Sequence, residues 1–490
     1  MKTYLGIDLG TSGLRALVVE EAGDVIGSSE QTYGSAHLFE GWSEQDPETW
    51  ITALGDAVAD LKARFPTFDN LSAIGVAGHM HGATLLDAGG CVIRPCILWN
   101  DTRAHAEAKQ LDAKTGVRNI SGNIVFPGFT APKLLWVKTH EPENFANVAK
   151  VLLPTAYMNF YLTGDYVADM SDSAGTSWLD VRGRQWSGAL LDAGAMTEGQ
   201  MPRLVEGSQP AGTLRPELAR AWGLKSDVVV AAGAGDNAAA ACGIGALEDG
   251  DAFLSLGTSG VLLTARDGYY PSAASAVHTF CHAVPDRWYQ MGVMLSATDS
   301  LNWLGGITGQ TPAQLTAALG EDLQPPGALQ FLPYLSGERA PHNDANIRGS
   351  FTGIGRSTDR TDMTRAVLEG VAFGLRDSHE ALKATGAQIE RFCGIGGGAK
   401  SRYWIRLLAT VLNIRIDLPE DGEFGAALGA ARLAIMAESG QSANAVLHRP
   451  KIAETIDPDP SLSSAFDETY DAFRETYQAL KSLQPPRHTR

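Results

Sequence analysis

Apolar positions at the start of the chain come in short dense runs broken by glycine. Residues 4–8 and 14–20 are rich in aliphatic and β-branched side chains, with Gly10-Thr11-Ser12-Gly13 between them, so the pattern predicts a β-hairpin. Asp46-Pro47 then offers a helix N-cap and a first-turn proline, and Trp50, Ile51, Leu54, Val58 and Leu61 follow at helical spacing. Two further runs, 72–77 and 83–87, read as strands, the second followed by a turn at Gly89-Gly90. The mixture predicts an α/β domain.

A second beginning appears halfway. Leu9-Gly10-Thr11-Ser12-Gly13 recurs as Leu256-Gly257-Thr258-Ser259-Gly260, and each copy lies between two short apolar runs. Equivalent placement in two strand–turn–strand contexts predicts an internal duplication, with a cleft between the related halves. The later chain alternates regularly: strand 391–395, helix 401–412, strand 414–418, helix 424–437, then an amphipathic helix over 464–483. The join falls near 243–250. The expected architecture is an N-terminal domain over 1–245, a C-terminal domain over 246–440 and a helical extension over 441–490.

Composition narrows the partners. The chain has 490 residues, 44% of them hydrophobic, and its 39 basic against 56 acidic side chains give a formal charge of -17. That balance excludes a general nucleic-acid or anionic-membrane binder, while a local basic pocket for an anionic ligand stays open. The opening residues lack the zones of a secretion signal, and apolar runs such as 228–234 are too short to span a bilayer. Five cysteines without a C-x-x-C pair read as reduced thiols, so a cytoplasmic location is expected.

Chemistry concentrates in the glycine-rich breaks. The paired turns, with Thr11, Ser12, Gly257 and Thr258, present backbone N–H groups and hydroxyls that suit phosphate. Asp8 ends the strand before the first turn, where a carboxylate near phosphate calls for a hard cation such as Mg²⁺ between them. Asp236 follows Gly233-Ala234-Gly235 at the start of a predicted helix. It is open there to two compatible roles, helix cap and general base, with Asn237 as an adjacent polar contact. Gly396-Gly397-Gly398 joins a strand to a helix and lets a flat ring or phosphate reach the backbone. His79-Met80-His81 admits a metal pair, satisfied polar groups or neutral ligand contacts, and Trp99, Asn100, Asp101 and Arg103 add the mixture a sugar needs.

Taken together these residues resemble the FGGY family of carbohydrate kinases, within the actin–hexokinase–Hsp70 class of ATP-binding folds. The likeness runs from Leu5 to about Ala437. Phe129-Thr130-Ala131-Pro132-Lys133-Leu134-Leu135-Trp136 is similar to the family's first signature. Gly349-Ser350-Phe351-Thr352-Gly353-Ile354, continued through 362–369, is similar to its second. Within the family, Trp42-Ser43-Glu44-Gln45-Asp46-Pro47, Ile97-Leu98-Trp99-Asn100-Asp101, Met80-His81-Gly82, Asp236-Asn237-Ala238-Ala239 and Leu335-Ser336-Gly337-Glu338-Arg339 resemble the xylulokinase branch. His79 stands where that branch usually has Gln, and Arg402 where several relatives place Asn near the adenine.

The resemblance implies two domains of the actin/hexokinase-like fold and ATP-dependent phosphorylation of a ketopentose, with Mg²⁺. It implies Asp236 as catalytic base and Asp8 as the acidic group near metal and phosphates. Thr11, Ser12, Gly257 and Thr258 become phosphate contacts, Gly397 and Gly398 adenosine contacts, and Met80, His81, Asp236 and Asn237 sugar contacts. The partners are then a small sugar and ATP, with neither nucleic acid nor membrane, and a homodimer is compatible with what is frequent among relatives. The competing expectations are a kinase for ribulose, a fructose-like ketose or glycerol, and a non-sugar ATPase on the same fold. If His79 meets the sugar or orients His81, its protonation below about pH 6.5 should raise the sugar KM.

Overall fold

A computed structural model describes residues 2–224, 227–420 and 425–483. Its core is two seven-stranded sheets. The first runs, in spatial order, Val25–Thr32, Gly13–Glu20, Thr3–Leu9, Leu71–Gly78, Val229–Ala231 and Pro210–Thr213, with Ala234–Gly235 also paired to Leu71–Gly78. The second runs Trp288–Met294, Gly260–Arg266, Ala252–Leu256, Arg391–Ile395, Arg415–Pro419 and Ile452–Ile456, with His278–Cys281 outside the first of these. Along both six-strand paths the pairings are antiparallel, antiparallel, parallel, parallel, antiparallel. The duplication expected from five repeated residues is therefore a duplication of topology. The copies differ at the last strand: Pro210–Thr213 precedes its neighbour in the chain, whereas Ile452–Ile456 follows its own.

Local chemistry accounts for the elements. The helix Pro47–Arg64 starts with Asp46 accepting from the Glu48 N–H (3.0 Å) and Pro47 in its first turn, and it buries Trp50, Leu54, Val58 and Leu61. That face meets Leu5, Ile7 and Leu14 from the hairpin in one apolar cluster. The hairpin pairs Leu9 with Leu14 across the Gly-Thr-Ser-Gly turn.

Two helices join the halves. Asp236–Gly243 follows the fifth strand of the first sheet and Gly425–Ser439 the fifth strand of the second. They cross at backbone distance, since a Cβ on Gly429 would lie 1.8 Å from the Ala239 carbonyl oxygen. Helix Gly425–Ser439 also lies on the first sheet, where a Cβ on Gly6 would lie 1.9 Å from the Ala427 oxygen. Ala238, Ala239, Ala427, Ala430 and Ala431 fill the crossing. The second domain's helix was expected from Phe424, which lies outside the described residues.

The segment over 441–490, read as a helical extension, is more than that. Ile452–Ile456 closes the second sheet as an antiparallel edge strand. Its residues are mostly exposed and follow Pro450-Lys451, so they carry no strong apolar signal. The helix Ser463–Leu483 buries Phe466, Tyr470, Phe473 and Tyr477, at spacings of four, three and four, in the second domain's core. Among the described residues no helix is long and apolar enough to cross a membrane.

Candidate active site

The first turn closes with the Gly10 N–H donating to the Gly13 carbonyl (2.9 Å). Around it, Trp99 Nε1 donates to Thr11 Oγ1 (2.9 Å) and Gln45 Nε2 to the Thr11 carbonyl (2.6 Å). Asp8 sits one residue from the strand's end, cross-strand from Arg15. Loss of water around its carboxyl and the charge of Asp236 push it up to about 7, with Arg15 opposing. Asp8 and Asp236 thus share one field in the cleft.

Asp236 is the first residue of the helix Asp236–Gly243, and Gly235 occupies the cap position. Its Oδ1 accepts from the Asn237 backbone N–H (2.7 Å) and from Asn237 Nδ2 (2.8 Å), while Oδ2 has no hydrogen bond among the described residues. Those two bonds favour the ionised form, yet desolvation outweighs them and holds the group at about 6. The helix-cap reading of Asp236 therefore gives way to a first-turn carboxylate with one oxygen free of hydrogen bonds among the described residues. The Asn237 amide is engaged by Asp236 rather than left open.

Met80 packs against Gly235, and Tyr289 from the second domain donates its hydroxyl to Met80 Sδ (3.7 Å). His81 has a left-handed backbone (φ 69°) and stacks on Phe129 with centroids 4.4 Å apart. Its Nδ1 lies 2.7 Å from the Gly175 carbonyl, which can only accept, so Nδ1 carries the hydrogen and Nε2 is the bare acceptor. Burial holds the ring well below the usual histidine range, so it stays neutral. Thr130 Oγ1 (3.1 Å) and Lys133 Nζ (2.8 Å) both donate to the His81 carbonyl. The stretch beginning Phe129-Thr130 thus has a physical task, which is to hold this turn.

His79 departs from expectation. Its ring is 2% exposed, edge-on to Trp50 at 5.6 Å, with neither nitrogen hydrogen-bonded among the described residues. Burial pushes it down to about 3, helped by the charge of Lys133, so a change of protonation near pH 6.5 is not expected of this ring. The metal-pair reading of His79 and His81 finds no third ligand, since no group of three candidate ligands exists among the described residues. Asp101 and Arg103 bond to each other (2.7 Å), and Arg103 also pairs with Glu44 (2.6 Å), so they brace the fold.

The second turn lies in the other half. Its Gly257 carbonyl accepts from Thr298 Oγ1 (2.7 Å) and its Thr258 carbonyl from the Ala297 N–H (2.9 Å), clasping the turn to the start of helix Thr298–Thr308. Gly396, with φ 88°, turns the chain against Leu256, and the short turn Gly397–Lys400 follows. A cavity of about 630 Å³ opens here, lined by Gly257, Thr298, Gly397, Gly398, Arg402 and Trp404 among others. Arg402 stands at its rim with Nη1 held by Glu454 (2.8 Å). Gly257, Gly397 and Gly398 are brought together, while Thr258 lies just outside the lining and Thr11 and Ser12 belong to the turn of the first domain.

Sequence reasoning missed Thr298, Tyr289, Gly175 and Asp172. Asp172 is buried beside Asp169 and Asp236, all of which raise its carboxyl well above the ordinary value. None of the four sits in a glycine-rich break, so no local pattern marks them.

Residues 3–243 match the N-terminal domain, and residues 252–438 the C-terminal domain, of the FGGY family of carbohydrate kinases. The chain is 44% identical to a xylulose kinase of Escherichia coli K12 over 98% of its own length and 99% of that protein's. A solved "xyloylose kinase" from Brucella ovis is 53% identical with a TM-score of 0.96, covering 98% of this chain and all of that one. A ligand-bound xylulose kinase from Lactobacillus acidophilus superposes with a TM-score of 0.90 at 26% identity, over 98% and 99% of the two chains. With both halves matched and the twin sheets in place, the chain belongs to the FGGY family of carbohydrate kinases.

Proposed function

We propose that this chain transfers the γ-phosphoryl group of ATP to the primary 5-hydroxyl of D-xylulose, giving D-xylulose 5-phosphate and ADP. The observation that carries the reading is Asp236, a carboxylate with a free oxygen that follows the Gly235 packed by Met80 and whose charge reaches Asp8, in a chain 44% identical to a xylulose kinase.

In this reading the sugar rests on Met80 and His81, with His81 Nε2 accepting from a sugar hydroxyl, and Asp236 Oδ2 takes the proton of the attacking hydroxyl. A value near 6 keeps Asp236 mostly ionised at neutral pH yet basic enough to accept that proton. Adenosine occupies the cavity at Gly397 and Gly398, and the facing turns at Thr11, Ser12, Gly257 and Thr258 orient the phosphates. Catalysis of this kind is mainly positioning and charge stabilisation.

The donor set also fits a magnesium ion that arrives with the nucleotide. Asp8 is a hard oxygen donor, and among the described residues there is no cage of three ligands for a metal held by protein alone. Bound there, the ion would neutralise charge on the phosphate oxygens and draw Asp8 into its ionised form.

A coupled assay of ADP release tests the proposal across D-xylulose, D-ribulose, D-fructose, glycerol and gluconate. D-Xylulose should show the highest kcat/KM. A higher value for another acceptor would reassign the substrate, and equal turnover without any sugar would favour the ATPase alternative.

A further inference from the structure

The loop over 335–347 of the second domain carries a cation that, among the described residues, has no hydrogen-bond or ion-pair partner. Glu338 and Arg339 are neighbours, but Glu338 Oε1 accepts from the Leu295 N–H (3.1 Å) and the Arg339 N–H (2.7 Å) rather than from the guanidinium. Among the described residues the Arg339 guanidinium has neither a hydrogen bond nor an ion pair. Other enclosed arginines are satisfied: Arg103 by Asp101, Arg184 by Glu206 and Arg266 by Asp249. Desolvation pulls Arg339 down to about 10, so its isolation is unfavourable in the free protein.

Its location gives that isolation a direction. The guanidinium crosses from the second domain to lie over the Phe126 ring of the first, 5.2 Å from the centroid. Phe126 meets Phe129 at 5.6 Å, and Phe129 carries the stacked His81 ring. Arg339 therefore hangs on the aromatic wall that backs His81. Its charge reaches His81, His278 and Lys133, and the ring contacts place it on the His81 side of the site.

The loop is also held in place before any ligand arrives. Glu338 and Asp344 exchange backbone hydrogen bonds (2.9 Å each), and the Ala340 N–H donates to the Val293 carbonyl (3.1 Å). His342 Nε2 lies 3.1 Å from Asp377, which accepts from Tyr470 (2.6 Å), and Tyr477 donates to Asp344 (3.2 Å). Arg339 is thus preorganised rather than trailing in solvent.

We propose that Arg339 binds the end of the open-chain sugar remote from the phosphorylated hydroxyl, donating to the oxygens on C1 and C2, and that the same position takes the carboxylate of an aldonate. This rests on the reading of Met80 and His81 as sugar contacts. A fork of N–H donors suits two adjacent oxygens, such as a carbonyl with its neighbouring hydroxyl or the two of a carboxylate. It also makes Arg339 a specificity determinant, because an alditol offers no carbonyl there.

The test compares the wild type with Arg339→Met, Arg339→Lys and His81→Ala. It measures KM for D-xylulose and ATP, the competitive inhibition constant of D-xylonate, and melting temperature. Arg339→Met should raise the D-xylulose KM and the xylonate constant each by about tenfold or more, the worth of one charge-assisted contact, with ATP KM and melting nearly unchanged. Arg339→Lys keeps the charge but loses the fork, so it should recover most xylonate affinity and little xylulose affinity; that contrast still decides the matter if the Met variant does not fold. Unchanged sugar and xylonate values in Arg339→Met or Arg339→Lys, with both values raised in His81→Ala, would overturn the proposal and leave the sugar site standing. Unchanged values in His81→Ala would instead sink the sugar-site reading beneath it.

Discussion

At Asp236 two opposing effects act on one carboxyl, and their balance sets a measurable pH. Hydrogen bonds from Asn237 favour the anion, desolvation opposes it more strongly, and the group ends near 6 instead of the ordinary 3.8. The base form is present above about 6, so kcat should fall as pH drops through that value. Asp236→Asn should keep the helix start, lose at least about 10²-fold in kcat and lose this limb of the profile. Stability moves the other way. Because the folded state holds this proton more tightly than the unfolded chain between 3.8 and about 6, the acid costs stability as pH rises through that window. The Asn variant should therefore melt above wild type near pH 8 and level with it near pH 4, as calorimetry would show; near-normal kcat in a folded variant would remove Asp236 from the base role. At this scale Asp8 and Asp236 were legible as candidates because glycine breaks mark them, while Met80 was named only through the resemblance. His79 was not legible, since residue type announces a titratable ring but not the Trp50 packing that desolvates it.

Between the halves the decisive elements are the two short-side-chain helices that follow equivalent strands. A Cβ on Gly429 would meet the Ala239 oxygen at 1.8 Å and the Gly243 nitrogen at 2.9 Å, both backbone atoms that cannot rotate aside. Gly429→Ala should thus cost at least about 1–3 kcal/mol through overpacking. Gly306, inside the helix Thr298–Thr308, has open space around its missing side chain, so Gly306→Ala should gain about 0.5–1 kcal/mol. Thermal melts of the two variants should shift in opposite directions, and equal shifts would mean the crossing can relax. Element boundaries were readable where apolar runs meet glycine or a cap. Strand Arg391–Ile395 and the helix Arg402–Leu412, capped by Ser401, fall where periodicity puts them. Strand Ile452–Ile456 escaped because an edge strand buries little, and pairing with Arg415–Pro419 rather than its own composition makes it a strand.

Over the whole molecule, the repeated Leu-Gly-Thr-Ser-Gly forecast a duplication that the matching sheet orders bear out, while the exchanged chain order of the outermost strands leaves no trace in five residues. On the proposed reading, the same two-fold plan divides the ligands. The cavity at Gly257, Gly397 and Gly398 belongs to the second domain, whereas Met80, His81 and Asp236 stand on the first. Phosphoryl transfer needs these sets within bonding distance and sheltered from water, so it calls for the halves to close on each other. The joints that would guide closure are identifiable. Alanines and glycines at the helix crossing interlock few side chains. Asn123 Nδ2 donates to the Thr279 carbonyl (2.9 Å) and Arg184 Nη1 to the Arg287 carbonyl (2.8 Å), tying one side of the first domain to the second. Closure should therefore be a rotation about these ties rather than a translation. In solution scattering, D-xylulose together with a non-hydrolysable ATP analogue should give a smaller radius of gyration than the free protein, and either ligand alone a smaller change. Weakening one tie with Asn123→Ala should broaden the ensemble of the free protein while leaving the doubly liganded radius the same. A profile that stays constant with both sites saturated would mean the cleft is already closed and that the two domains meet their ligands without moving.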